Sequence, residues 1–207
     1  PALPFVRRMW AGGRVAFAGH LVIGEPLTRD SEILAVQQKT GASGPMAFVT
    51  VRHRVRGAAG EIDEEHDLVY LPPATGYNPP RRQPAPDGAR VLGTVPTDPV
   101  RLFRYSAATG NGHRIHYDRA YATGVEHYPG LVVHGPMQAT LLAEAGHRLT
   151  GHPPRRFAYR GVHPVFDGDA IRLLGWPAGP EAAGGAVDLC TLAPEGHRAL
   201  QARYEPA

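Results

Sequence analysis

Eight prolines crowd residues 72–99, at positions 72, 73, 79, 80, 84, 86, 96 and 99, with Arg81-Arg82 and Asp87-Gly88 between them. Proline has no backbone N–H and a fixed φ, so such a stretch holds neither a helix nor a central strand. It reads as a linker that crosses between two halves, residues 1–71 and residues 100–207. The same bias runs through the whole chain: 25 Gly and 21 Pro among 207 residues are nearly twice the usual share. Both residues sit badly inside helices, so strands and turns should dominate.

Ahead of the linker, residues 14–23, 28–39, 47–56 and 61–71 mix β-branched and aromatic residues with polar ones. Phe48, Thr50 and Arg52 alternate with Ala47, Val49, Val51 and His53, the period of two of a strand. Gly12-Gly13, Gly24, residues 41–45 and residues 57–60 supply turns. This predicts an antiparallel meander with no long helix, although a sheet must bury one face against something. Behind the linker, residues 100–105 read as a short strand and residues 106–117 as a loop dense in Gly, His and Asn. Asp118 can cap a short helix running to Ala122. One long helix is predicted over residues 136–149. Pro136 suits its first position, Met137, Leu141, Leu142, Ala145 and Leu149 form an apolar face, and Gly151 then Pro153-Pro154 end it. Strands at residues 157–162, 170–176, 186–192 and 197–204 follow. A long helix before a run of antiparallel strands describes a sheet wrapped around one helix.

The formal net charge is +3, but the basic residues, all Arg except Lys39, are scattered as singles and pairs among acids. No helix carries a basic stripe, which argues against nucleic acid as partner; the surplus could still serve an anionic small molecule. No apolar run approaches the ~20 residues of a membrane helix, and no charged-then-apolar leader precedes Pro1. A single cysteine, Cys190, excludes an internal disulfide and a Cys-based zinc cluster and fits a reducing cytoplasm. Pro1 in place of an initiator Met marks a processed chain or one that begins partway into a longer product.

Two segments could carry chemistry. In Thr109-Gly110-Asn111-Gly112-His113-Arg114-Ile115-His116-Tyr117-Asp118, His116 titrates near neutrality and can take and return a proton. Asn111 can accept from a water and donate to a carbonyl. The same residues also fit a tight turn with structural histidines. His113 and His116 resemble a metal pair, but no further ligands stand at metal spacing. In Tyr128-Pro129-Gly130-Leu131-Val132-Val133-His134-Gly135-Pro136, the chain runs straight into the long helix. Free N–H groups there suit a carbonyl oxygen gaining negative charge, and Gly135 admits a ligand close to the backbone. A plain Gly-Pro helix start with His134 packed inside is the alternative.

Taken together, Tyr105-Ser106-Ala107-Ala108-Thr109-Gly110, then Asn111, His116 and Asp118, then Leu131-Val132-Val133-His134-Gly135, resemble the hydratase signature of MaoC-like (R)-specific enoyl-thioester hydratases and dehydratases. More narrowly, Arg8-Met9-Trp10-Ala11-Gly12-Gly13-Arg14, the segment from Ser43 to Val51, Glu64-Glu65-His66-Asp67-Leu68-Val69-Tyr70 and residues 103–136 resemble the mesaconyl-CoA/itaconyl-CoA hydratase group. The resemblance covers roughly residues 7–204. It implies an α+β double hotdog, antiparallel sheets wrapped around a central helix, with residues 1–71 degenerate or N-terminally incomplete and residues 100–207 catalytic.

It also implies reversible hydration of an α,β-unsaturated acyl thioester, most simply an acyl-CoA, without cofactor or metal. The exposed edges of such sheets invite pairing, so the two halves should join edge to edge and the molecule should associate further as a homodimer. His116 takes the family's catalytic His position. The wider family's Asp, five residues earlier, falls on Asn111, an exchange the narrower group shares. Gly135 takes the place of the oxyanion donor, with Tyr105, His113 and His134 as pocket residues. A thioesterase on the same fold would also need the oxyanion site. A non-catalytic acyl-thioester-binding subunit is the other rival.

Overall fold

The computed structural model describes residues 5, 7–41, 44–168, 170–179 and 184–207, so Pro1 and Ser43, which opens one of the resembling motifs, lie outside the described residues. Four long strands precede the Pro-rich segment: β1 (Arg7–Gly19), β2 (Thr28–Gly41), β3 (Gly44–Arg56) and β4 (Gly60–Leu71). β1 starts seven residues before the expected position. Gly12-Gly13, read as a turn, lies inside it beside a bulge between Trp10 and Gly12. The physical reason is close strand approach. A Cβ on Gly12 would come 2.5 Å from the carbonyl oxygen of Tyr159, and one on Gly13 would come 2.6 Å from that of Glu65.

The Pro-rich segment contributes β5 (Arg90–Pro96). It lies at one end of the sheet, where the missing N–H of Pro96 breaks no ladder. Residues 100–105 are helical, not a strand. α1 (Pro99–Thr109) begins at Asp98, whose carboxylate accepts from the Arg101 N–H at 3.0 Å, and ends at Gly110 in the left-handed region, φ 64°. Its apolar positions Leu102 and Tyr105, with Ser106, form a helical face, and local capping overrides the strand propensity of Val100, Phe103 and Tyr105.

α2 (Arg119–Gly124) is capped by Asp118, which accepts from the Tyr121 N–H at 3.0 Å. α3 (Gly135–Thr150) is the long helix, closed by Gly151 at φ 74°. The remaining strands are β6 (Pro154–Gly161), β7 (Ala170–Pro177), β8 (Val187–Leu192) and β9 (Arg198–Pro206). All pairings are antiparallel, in one nine-stranded sheet of order β2-β3-β4-β1-β6-β9-β8-β7-β5. β1 pairs with β6 from Gly12↔Arg160 to Ala16↔Arg156, so the strands on either side of the Pro-rich segment join edge to edge.

α3 packs on the second set of strands, where Leu142, Leu189, Leu200 and Tyr204 are fully enclosed. Truncating such a leucine to Ala costs about 2–5 kcal/mol. A Cβ on Gly146 would meet the Tyr204 ring at 2.6 Å, so this glycine sets how closely the helix lies on β9. The first strands are different. Among the described residues of β2, β3 and β4 only Ala47, Val49 and Leu68 are buried. No helix among the described residues is long and apolar enough to cross a membrane.

Candidate active site

Three segments converge where α3 begins. The end of α1 turns through Gly110 into Asn111, whose N–H bonds to Ser106 O at 2.9 Å and whose Oδ1 accepts from His113 N–H at 3.1 Å. That side-chain turn feeds a 3-10 turn, Arg114–His116, stiffened by the Tyr117 hydroxyl donating to Gly112 O at 2.9 Å. Facing it is the extended segment before α3. Val132 N–H donates to Ile115 O at 2.9 Å, and Val133 N–H to Val165 O at 2.8 Å. Leu131 N–H reaches the Asp167 carboxylate at 2.8 Å, itself buried and paired with Arg119.

This clamp orients His116. Its Nδ1 lies 2.7 Å from Val132 O, and a carbonyl can only accept, so Nδ1 carries the proton and Nε2 is left with a bare lone pair. The ring is buried, and burial pushes its pKa down from 6.5 to about 4, against the raising effect of the Val132 bond and assisted by nearby His113. At neutral pH it is an uncharged base.

His134, the residue before α3, is fully buried and stacks on His116, centroids 3.7 Å apart and planes 17° apart. Its Nε2 shares a 2.8 Å hydrogen bond with Ser106 Oγ. Burial and the neighbouring histidines push its pKa to about 3, so the stack holds two neutral rings. Tyr105 meets His134 edge-on at 4.8 Å, and His113 meets His116 edge-on at 5.5 Å. Burial lowers the His113 pKa as well.

Tyr105, His113, His116 and His134 therefore form one cluster, as the sequence suggested. Asn111 sits in the same loop, but its described hydrogen bonds serve the turn. Among the described residues no three His, Cys, Asp or Glu side chains, these histidines included, are placed so that they could hold a metal ion.

Gly135 opens α3. The helix's first bond is Gln138 N–H to His134 O, 3.2 Å, which leaves the Gly135 and Met137 N–H groups without intrahelical acceptors. Trp10 of β1 lies against Gly135: an added Cβ would fall 2.5 Å from Trp10 Cε3 and Cζ3. Trp10 stacks on Tyr159, centroids 5.0 Å apart. Sequence reasoning missed the places of Trp10 and Ser106. Ser106 was hidden by the misread of α1, whose buried residues Leu102 and Ser106 stand four apart.

The family model for hydroxyacyl-thioester dehydratase type 2 matches residues 1–167. The chain belongs to this family. It is similar to mesaconyl-C(4)-CoA hydratase of Chloroflexus aurantiacus, with 43% identity over 99% of this chain and 72% of the relative. Among solved structures, a MaoC-like dehydratase superposes with TM-score 0.78 at 15% identity, covering 99% of this chain and 77% of that one. A Mycobacterium tuberculosis protein described as having a double hotdog fold gives TM-score 0.61 at 16% identity, covering 94% and 73%. The sheet and helices are those of the hotdog fold. As a member of the hydroxyacyl-thioester dehydratase type 2 family, the protein is a hydro-lyase that adds or removes water across an acyl thioester's α,β bond.

Proposed function

We propose that the physiological substrate is a CoA thioester of an unsaturated dicarboxylic acid of the mesaconyl or itaconyl type, hydrated reversibly by a cytoplasmic homodimer whose catalytic half is residues 100–207. In this reading the Gly135 N–H and the α3 N-terminus polarise the thioester carbonyl and make the β-carbon electrophilic. Water attacks that carbon while His116 Nε2 takes its proton, and the C=C electron pair moves onto the carbonyl oxygen as an enolate. The enolate then collapses as the His116 imidazolium returns a proton to the α-carbon. The low pKa of His116 makes its charged form a ready donor for that second step. Asn111, with Oδ1 engaged in the turn, would orient the water through Nδ2. His113, His134 and Tyr105 wall the site and keep it dry.

The observation that carries this reading is the His116 tautomer, locked by Val132 O so that Nε2 is the free base, in a ring stacked on His134, the residue that precedes α3. The test is a panel of enoyl-CoA esters with saturated controls. Loss of the conjugated enoyl absorbance without release of free thiol is expected. Thiol release would make the protein a thioesterase, and tight binding without turnover would make it a binding subunit.

A further inference from the structure

A carboxylated acyl group needs a cation, and 21 arginines offered no choice from sequence. The structure narrows it. Arg7 and Arg8 act electrostatically on His113, and Arg114 stands in the catalytic loop itself. Arg114 pairs with Asp118 and covers the Tyr121 ring at 4.2 Å. Arg7 pairs with the buried Glu126 and reaches the Tyr128 hydroxyl at 3.3 Å. Arg8 is exposed and has no hydrogen-bond or ion-pair partner among the described residues.

Strand alternation fixes which side Arg8 serves. Successive residues of β1 face opposite ways. Arg7 and Met9 both touch Tyr128, with the Met9 Sδ 3.9 Å from its hydroxyl, so this contact anchors one side of the strand. Arg8 and Trp10 share the other side. Trp10 lies against Gly135 and meets His66 edge-on at 6.3 Å. Arg8 is thus one strand repeat beyond the residue that touches the start of α3. Its charge disfavours protonation of both His113 and His66; Arg7 acts on His113 in the same sense, but its guanidinium is already held by Glu126. His113 in turn borders His116.

We propose that Arg8 is the specificity-determining residue, binding a carboxylate carried on the β-carbon of the acyl group. The inference rests on the roles given above to His116 and Gly135. Water adds at the β-carbon, so any substituent there must lie beside the water-activating imidazole. A carboxylate in that place would repel the incoming nucleophile and the growing enolate, and an unpartnered guanidinium offsets both through a two-pronged hydrogen bond. Arg101 and Arg104 are the rival cations. They are exposed like Arg8 and line a cleft of about 550 Å³ between α1 and α3 that reaches Tyr105 and Met137, but they stand on the α1 side of the site, away from the β1 face that carries Trp10.

The test compares mesaconyl-C(4)-CoA, whose β-carbon bears a carboxylate and a methyl, with crotonyl-CoA, which bears only the methyl. Initial rates are measured on the full chain and on Arg8→Gln, Arg8→Lys and the pair Arg101→Gln/Arg104→Gln. Arg8→Gln should lower kcat/KM for the carboxylated substrate by ~10²-fold or more while crotonyl-CoA changes by less than about threefold, with Arg8→Lys intermediate. Equal loss on both substrates, no loss, or a carboxylate-selective loss in the Arg101/Arg104 pair instead would overturn the assignment. A wild-type protein that hydrates crotonyl-CoA but not mesaconyl-C(4)-CoA would refute the carboxylate proposal and leave the hydratase chemistry standing. One that hydrates neither would overturn the mesaconyl-type substrate reading and the Arg8 assignment together.

Discussion

An imidazole that has to accept a proton works only while neutral, and burial keeps His116 in that form well below physiological pH. With its pKa pushed to about 4, the acidic limb of kcat/KM should fall near pH 4, since activity is lost only once the base is protonated. A limb near 6.5, the ordinary histidine value, would mean that the working base is a solvated ring. His116→Ala should lower kcat/KM by ~10²- to 10⁴-fold, the usual reach of general acid–base catalysis; near-normal turnover would shift the role to His113. Asn111 separates the turn from the chemistry. Asn111→Asp keeps an oxygen for the His113 N–H, and its negative charge favours protonated His116, so hydration should persist with the acidic limb moved upward. Asn111→Leu removes both the turn bond and the amide and should lose far more activity. Equal rates in all three proteins would reduce position 111 to a spectator.

At the level of elements, the start of α3 is the most constrained junction in the site. Gly135→Ala pushes a methyl into Trp10, and the stack on Tyr159 keeps that indole from swinging aside. The helix start must tilt, and kcat/KM should drop by ~10²-fold, the scale of one lost oxyanion donor. Adding Trp10→Leu should recover part of the rate, while a fully active Gly135→Ala protein would exclude this N-terminus from carbonyl binding. α3 itself was legible because Pro136 and Gly151 bracket a clean apolar face. The strands were legible through their period of two. α1 was not, because Val100, Phe103 and Tyr105 carry strand propensity, although Asp98-Pro99 stood at its start as a cap and first-turn pair. Gly12-Gly13 misled in the same way, since a glycine pair signals a turn and a tight strand crossing alike. The bonds that make the site were beyond local pattern altogether: His116 reaches 16 residues to Val132, and Ser106 reaches 28 to His134.

For the whole molecule, the uneven cover on the sheet matters most. α3 shields the strands on one side of the β1–β6 junction, whereas β2 closes the opposite end of the sheet with a free edge 14 residues long. Ile33, Leu34 and Val36 of β2 are 52%, 44% and 45% exposed. An open strand with apolar side chains is a template for a second strand or surface, which makes this end the expected seam of a homodimer. Light scattering at working concentration should give twice the chain mass. Ile33→Lys with Val36→Lys should shift the protein to monomer with little change in melting temperature, because exposed positions of this kind contribute about 0.5 kcal/mol or less to folding. A double variant that stays dimeric would move the interface to another surface. A wild-type chain that is monomeric at every concentration would remove the dimer while leaving the active site intact, since Tyr105, His113, His116, His134 and Gly135 all come from one chain.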